Sequence, residues 1–227
     1  MKRFYIIMTT VTFIFICIFS FNKIKSAENT ANALKVSSKY TVIIDAGHGG
    51  KDAGTTGIDN TPEKKINLEI ALRLRDFLEV SGINCVLIRE HDNEFYPEGT
   101  NTNRSDLYNR LDFVNSVPDS VLISIHQNHY ENEAEWGTQI WYSANTPESK
   151  VLADGVLNAV KEFLQPDNKR ENKVSDSSYY LLYKASVPSI MIECGFMSNR
   201  KENNKLQDPD YQNDMAFSIL TGICTEV

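Results

Sequence analysis

The sequence has few cysteines, and their arrangement excludes two common kinds of site. Of the four, Cys17 lies in an N-terminal apolar run, which leaves Cys85, Cys194 and Cys224. An odd number of thiols without a CxxC pair fits neither a disulfide framework nor a cysteine zinc site. We therefore expect these three side chains to act as small buried hydrophobic residues.

An excess of positive charge is also missing. The chain carries 23 Lys and Arg against 30 Asp and Glu, which gives a net charge of -7. A surface that follows phosphates needs clustered Lys and Arg, so no nucleic-acid partner is expected. Internal repeats and low-complexity tracts are absent as well, and a repeat architecture is therefore not expected.

The chain has one long hydrophobic run, close to its N-terminus. A basic pair of residues precedes an apolar stretch over residues 4–21, and small residues follow at 26–27. This pattern is typical of a secretory signal peptide, but its length also approaches that of a membrane anchor. Both interpretations place the rest of the protein outside the cytoplasm. The predicted organisation is a signal peptide or N-terminal membrane anchor (1–27), a linker (28–38) and one domain (39–227).

Strand and helix patterns alternate along this domain. Helical periodicity begins after residue 61 and ends at Gly82, and it recurs at 105–115, 152–163 and 211–223. Short apolar runs predict strands at 40–44, 84–89, 120–125, 138–142, 179–183 and 189–192. The alternation predicts a single α/β domain with a twisted, mostly parallel sheet and helices on both faces.

Three predicted strands run into side chains that bind metals or transfer protons. The first strand leads to His48, the strand at 120–125 to His126, and the strand at 189–192 to Glu193. Functional crevices of open α/β sheets lie beyond the carboxyl ends of the strands, so these groups converge if the strands are parallel. Glu63 adds a fourth group at the start of the helix that follows the first strand.

Two imidazoles and one carboxylate form the ligand set of an open catalytic zinc site. Glu193 suits the role of base, because its apolar strand favours a raised pKa. Structural interpretations stay open: His48 as a turn residue, His126 as a core histidine, and Glu63 as an acidic residue favoured by the helix dipole. Glu193 has the weakest structural explanation, since a buried carboxylate is costly. The spacing matches no compact motif such as HExxH.

Four segments resemble, in order, the signatures of the zinc-dependent type 3 family of N-acetylmuramoyl-L-alanine amidases. They are residues 44–54 (IDAGHGGKDAG), 62–68 (PEKKINL), 124–128 (SIHQN) and 188–199 (PSIMIECGFMSN). The resemblance extends over roughly residues 40–224. Two positions depart from the family pattern: Ala46 replaces a usual proline, and His129 stands where a small residue is common.

The resemblance implies that residues 39–227 form a zinc amidase catalytic domain. It assigns one Zn²⁺ to His48, Glu63 and His126, and catalysis to Glu193. The implied reaction is hydrolysis of the amide between N-acetylmuramic acid and L-alanine of the peptidoglycan stem peptide. A zinc peptidase that trims stem peptides, or a silent wall-binding protein on the same fold, remains an alternative.

Residues 89–104 resemble the loop of the spore-cortex amidases of endospore formers. This likeness implies a role in muramic-δ-lactam formation, which germination requires, at the forespore envelope. Arg89, Arg104 and Arg110 either orient stem-peptide carboxylates or donate to structural ion pairs, and the second interpretation is slightly favoured. His91 and His129 lie in polar loops and are expected to be solvated, although His129 is close enough to His126 in sequence to affect metal affinity. An accessory or activating protein is a further expected partner.

Overall fold

The computed structural model describes residues 40–96 and 105–226. The predicted leader and linker, and the part of the 90–104 loop that holds Arg104, lie outside the described residues. No helix among the described residues is long and apolar enough to cross a membrane.

The described residues form six strands and six helices. The strands are β1 (Thr41–Ala46), β2 (Cys85–Leu87), β3 (Ser120–Asn128), β4 (Gln139–Tyr142), β5 (Lys173–Val174) and β6 (Ser189–Phe196). The helices are α1 (Glu63–Val80), α2 (Asp106–Ser116), α3 (Glu148–Phe163), α4 (Tyr180–Lys184), α5 (Arg200–Leu206) and α6 (Pro209–Glu226).

All six strands belong to one sheet, in the order β2-β1-β3-β6-β4-β5. The neighbours are parallel except for β4 and β6, which run antiparallel. The central strands β1, β3 and β6 are almost entirely buried, as expected of parallel strands that are covered on both faces. The predicted α/β domain with a mostly parallel sheet is confirmed.

Helices cover both faces of this sheet. On one face α1, α3 and α6 bury the main hydrophobic core, to which Ile123 and Ile125 of β3 contribute. On the other face α2 and α4 cover a smaller core that includes Leu122. Alternate residues of β3 therefore enter different cores, because successive side chains of a strand point to opposite faces.

One predicted strand is wrong. Residues 179–183 were expected to be extended, but Tyr180–Lys184 forms the short helix α4. Aromatic residues favour strands, but this preference is overridden here because a short helical turn buries both Leu181 and Leu182. Helix α5 was not predicted, although Asn199 caps it by accepting hydrogen bonds from the backbone of Lys201 and Glu202.

Candidate metal centre and active site

The strands β1, β3 and β6 bring their carboxyl ends to one edge of the sheet. The register pairs Asp45 with Ser124 and His126 with Glu193. Side chains of directly paired residues project from the same face of a sheet, so His126 and Glu193 are neighbours. That face is the one covered by α2 and α4.

His48 lies in the turn that follows β1. Its backbone has a φ of 62°, a left-handed conformation that costs a non-glycine residue about 1–3 kcal/mol. Two guanidinium groups hold the turn: Arg110 donates to the carbonyl oxygens of Ala46 and His48, and Arg89 also donates to that of Ala46. Arg110 is itself fixed by Asp45, at 2.5 Å, through a buried ion pair. The strained turn is therefore stabilised from two sides.

Gly47 lets the turn approach the ring of His126. A Cβ atom at this position would lie 2.2 Å from two atoms of that ring, far inside van der Waals contact. The rings of His48 and His126 then meet edge to face, with centroids 4.9 Å apart. Only glycine allows this pair of imidazoles at the observed distance.

Glu63 is the first residue of α1, and it is 3% exposed. One of its carboxylate oxygens lies 3.0 Å from His126 Nδ1, and the other lies 3.3 Å from His48 Nε2. The backbone N–H groups of Thr55 and Gln127 donate to the same carboxylate at 2.9 and 3.0 Å. One potential ligand atom from each of His48, Glu63 and His126 lies within 4.8 Å of the others.

The electrostatics of this cluster favour an ionised carboxylate between two imidazoles. Burial raises the pKa of Glu63, but hydrogen bonds and charges of His126 and His48 outweigh burial and hold that pKa well below its usual range. Burial lowers the pKa of His48, but Glu63 and then Asp52 outweigh it and raise the pKa to about 9. The charge of Glu63 therefore favours a proton on His48, and a cation in the cluster can take over that role.

Glu193 has a different environment. Burial raises its pKa to about 7, and the charge of His126 opposes this shift only in part. The residue is partly open to the neighbouring cavity, yet its Oε2 atom is enclosed and has no hydrogen-bond partner among the described residues. A buried carboxylate oxygen without a partner is costly and needs an explanation, and here the atom belongs to a side chain that lines the cavity.

The donor set fits a divalent metal ion. Two histidines and one carboxylate are the protein ligands of an open site that leaves a fourth position for water or substrate. Asp52 accepts a hydrogen bond from His48 Nδ1 at 2.7 Å, an arrangement in which a carboxylate fixes the ring of a metal-binding histidine. The unpartnered Oε2 atom of Glu193 lies outside this set, and the Glu193 side chain lines the cavity beside it.

Two polar residues of the site were missed at the level of sequence. Asp52 lies within the first signature but carries no periodic signal, and its contact with His48 depends on the turn between them. Asn67 donates to the carbonyl oxygen of Gly47 and, at 3.2 Å, to Glu63. Its position one helical turn after Glu63 was the signal that could have identified it.

The other residues singled out from the sequence contribute no side chain to this metal-binding cluster. Arg89 and Arg110 bind backbone carbonyls and carboxylates of the protein itself, as the structural interpretation of these arginines expects. His91 and His129 are exposed. The cysteines form no disulfide among the described residues; Cys194 is buried, and Cys85 and Cys224 are partly buried.

A cavity of about 690 Å³ opens above the cluster. His48, His126 and Glu193 lie in its wall, together with apolar and aromatic side chains such as Leu107 and Tyr180. The volume is in the range of pockets for small ligands and chain segments. The cluster is therefore reachable by a substrate.

Comparison with known proteins shows the family of this chain. Residues 42–225 match the family model described as N-acetylmuramoyl-L-alanine amidase. The germination-specific N-acetylmuramoyl-L-alanine amidase of Bacillus subtilis is 32% identical over 195 residues, which cover 84% of this chain and 81% of that protein.

Two solved structures show the same fold. The CwlD amidase of Clostridioides difficile, determined in complex with the GerS lipoprotein, is 38% identical with a TM-score of 0.75, and the match covers 81% of this chain and 96% of that one. The amidase AmiC2 of Nostoc punctiforme is 33% identical with a TM-score of 0.70, over 82% and 95% of the two chains. The chain belongs to the N-acetylmuramoyl-L-alanine amidase family.

Proposed function

We propose that this protein hydrolyses the amide between N-acetylmuramic acid and L-alanine in peptidoglycan, with one zinc ion held by His48, Glu63 and His126. The observation that carries the proposal is the joint geometry of the site. Three potential ligand atoms lie within 4.8 Å of one another, next to a carboxylate with an unpartnered oxygen. His48, His126 and Glu193 line a cavity large enough for a chain segment.

Zinc in such a site supplies a Lewis acid that polarises a carbonyl and lowers the pKa of water to about 7. The protein's own part is to position the reactants and move the proton. Glu193 accepts a proton from the attacking water and returns it to the leaving nitrogen of L-alanine. Burial raises the pKa of Glu193 in the metal-free protein and a nearby cation lowers it, so the carboxylate that accepts the proton of water prevails when the ion is bound.

The surrounding residues keep the site rigid. Asp52 holds the ring of His48 through Nδ1, which leaves Nε2 directed at the cluster. The backbone donors at Thr55 and Gln127 fix the orientation of Glu63 without adding charge. These contacts reduce the reorganisation needed when the ion binds.

We further propose that the protein acts outside the cytoplasm, on the spore cortex, in the formation of muramic-δ-lactam. The predicted leader, cleaved or retained as an anchor, would place it beyond the membrane at the forespore envelope. The name of the Bacillus subtilis relative and the likeness of residues 89–104 to cortex amidases support this role. An accessory protein is also proposed, since the Clostridioides difficile neighbour was solved with a lipoprotein.

Two alternatives differ in their products. A zinc peptidase on the same scaffold would leave trimmed stem peptides, whereas the amidase leaves glycan without peptides and a new N-terminal alanine. A silent wall-binding protein would release nothing, but the complete set of four site residues argues against it.

The test is digestion of spore-type peptidoglycan by the purified protein, with and without a chelator, followed by mass analysis of the products. Free stem peptides that begin with alanine, lost on chelation and restored by Zn²⁺, are the expected result. Trimmed peptides on intact glycan would instead establish the peptidase. Digestion of vegetative peptidoglycan in parallel decides whether the cortex is preferred.

A further inference from the structure

A second groove of about 420 Å³ adjoins the active-site cavity and shares Glu193 and Tyr179 with it. Its remaining wall includes Gln139, Trp141 and Lys173. The two depressions therefore meet at the proposed catalytic base, so a chain bound across Glu193 extends into both.

Sheet register fixes the side chains of this groove. Glu193 is paired with Gln139, and Trp141 is paired with Lys173, on three neighbouring strands. Paired residues share a face, and alternate residues of one strand do as well, so all four side chains lie on the substrate side of the sheet. Trp141 is diagonal to Glu193 across the β4–β6 pair, a relation that separates residues by about 7–8 Å.

Lys173 carries the unpaired positive charge of the groove. Its ammonium group lies 5.2 Å from the centroid of the Trp141 ring, and it forms no ion pair or hydrogen bond within the described part of the chain. Arg170, the other cation of the groove, is held by Glu135 at 2.5 Å and by the carbonyl oxygen of Trp136. Tyr179 stacks on Trp141 with ring centroids 4.5 Å apart, which supports the aromatic surface under the ammonium group.

The active-site cavity has the opposite charge. Besides Glu193 it is lined by Asp45, Asp52, Glu94 and Asp106, and its arginine, Arg110, is buried in pairs with two of these carboxylates. Away from the proposed metal centre, these carboxylates disfavour an anionic segment, whereas Lys173 attracts one. A neutral segment has no such preference and is accepted by the aromatic and apolar wall.

The two sides of the scissile amide differ in the same way. The N-acetylated glycan is neutral once its lactyl carboxyl is in the amide, whereas the stem peptide carries free carboxylates. The first of these belongs to the isoglutamyl residue that follows L-alanine. Two extended residues span about 7 Å, which matches the diagonal from Glu193 to Trp141.

We propose that Lys173, on the stacked Trp141–Tyr179 surface, binds the α-carboxylate of the isoglutamyl residue, so that the stem peptide lies in this groove and the glycan in the larger cavity. This assignment rests on the proposed amidase activity and adds the direction of the substrate and a residue that determines specificity. It moves carboxylate recognition from Arg89 and Arg110, which the protein's own groups occupy, to a lysine.

The test compares two soluble muramoyl-peptides that differ only at the isoglutamyl carboxyl, which is free in one and an amide in the other. The wild-type enzyme is expected to prefer the free carboxylate about tenfold in kcat/KM, a ratio typical of one hydrogen bond to a charged group. Lys173→Met is expected to remove this preference by raising KM for the acidic substrate, with kcat nearly unchanged. Lys173→Arg is expected to restore most of it.

Lys184→Met is the matched control. Lys184 also lies 5.2 Å from an aromatic centroid, that of Tyr183, but it lines neither depression, so its variant should keep the wild-type preference. Equal preference in the wild type and Lys173→Met, or no preference in the wild type, would overturn the subsite. A wild-type protein that cleaves neither substrate, although zinc is bound, would overturn the proposed function itself.

Discussion

The substitution Glu193→Gln tests the proposed base and its burial at the same time. Glutamine keeps the shape of the side chain but can neither accept the proton of water nor carry a charge. Loss of a general base lowers turnover by about 10²–10⁴-fold. Because Glu193 lies outside the proposed ligand set, the variant should bind zinc as the wild type does.

The same substitution should change the stability of the metal-free protein with pH. The pKa of Glu193 is raised by burial from 4.5 to about 7, so the folded state favours its protonated form. Stability is therefore lost as the pH rises from 4.5 through 7. A shift of this size corresponds to about 3 kcal/mol, an upper value because the residue is partly open to the cavity. Glutamine removes this cost.

The assay is thermal unfolding of both proteins in chelator at pH 5 and pH 8. The two should melt at similar temperatures at pH 5, and the variant should melt higher by up to about 6–12 °C at pH 8, given 2–4 °C per kcal/mol for a domain of this size. Added Zn²⁺ should reduce the difference, since a cation nearby lowers the pKa of the carboxyl group. A difference that does not change with pH would refute the buried, unpaired carboxylate, and retained turnover would refute the base.

Three further substitutions separate the ligands from their supports. His126→Ala should abolish both zinc binding and activity, measured by metal analysis and peptidoglycan digestion; bound zinc at wild-type stoichiometry would contradict the ligand assignment. Asp52→Asn should weaken zinc affinity by about 10–100-fold, seen in competition with a chelator, while saturating zinc restores most activity. Gly47→Ala should destabilise the fold by at least about 1–3 kcal/mol, since its Cβ would overlap the His126 ring, and a thermal melt equal to that of the wild type would show that the turn adapts.

The parallel sheet could be predicted because its signals are local and strong. Buried strands at β1, β3 and β6 contain continuous apolar runs, and the polar residues that follow these runs stand out against them. The strand predicted at residues 179–183 was wrong because five residues do not distinguish a buried helical turn from a strand. Whether such a segment forms a helical turn or a strand depends on the surface that it packs against. Here that surface is the smaller core with Leu122, a residue that is distant in sequence.

The supports of the site could not be predicted, for a different reason. Arg89 and Arg110 act on backbone carbonyls, and these carry no side-chain identity that a sequence pattern could reveal. The pairing of Lys173 with Trp141 likewise needs the register of a two-residue strand, too short to give a periodic signal. His48, His126 and Glu193 follow strong apolar runs and are visible, whereas Glu63 and the groups that position the site lie wherever the tertiary fold brings them.

The position of Glu193, the proposed base, follows from the same packing that stabilises the sheet. Ile123, Ile125, Ile190 and Ile192 are fully buried on the face opposite the site, and they pair across β3 and β6. A slip of one residue in β6 would move its isoleucines to the opposite face and turn Glu193 into the main core. The strand register that buries these isoleucines is therefore also the register that holds Glu193 beside His126. This coupling predicts that core substitutions in β6 such as Ile192→Ala, expected to cost about 2–5 kcal/mol, leave kcat nearly unchanged in the fraction that remains folded.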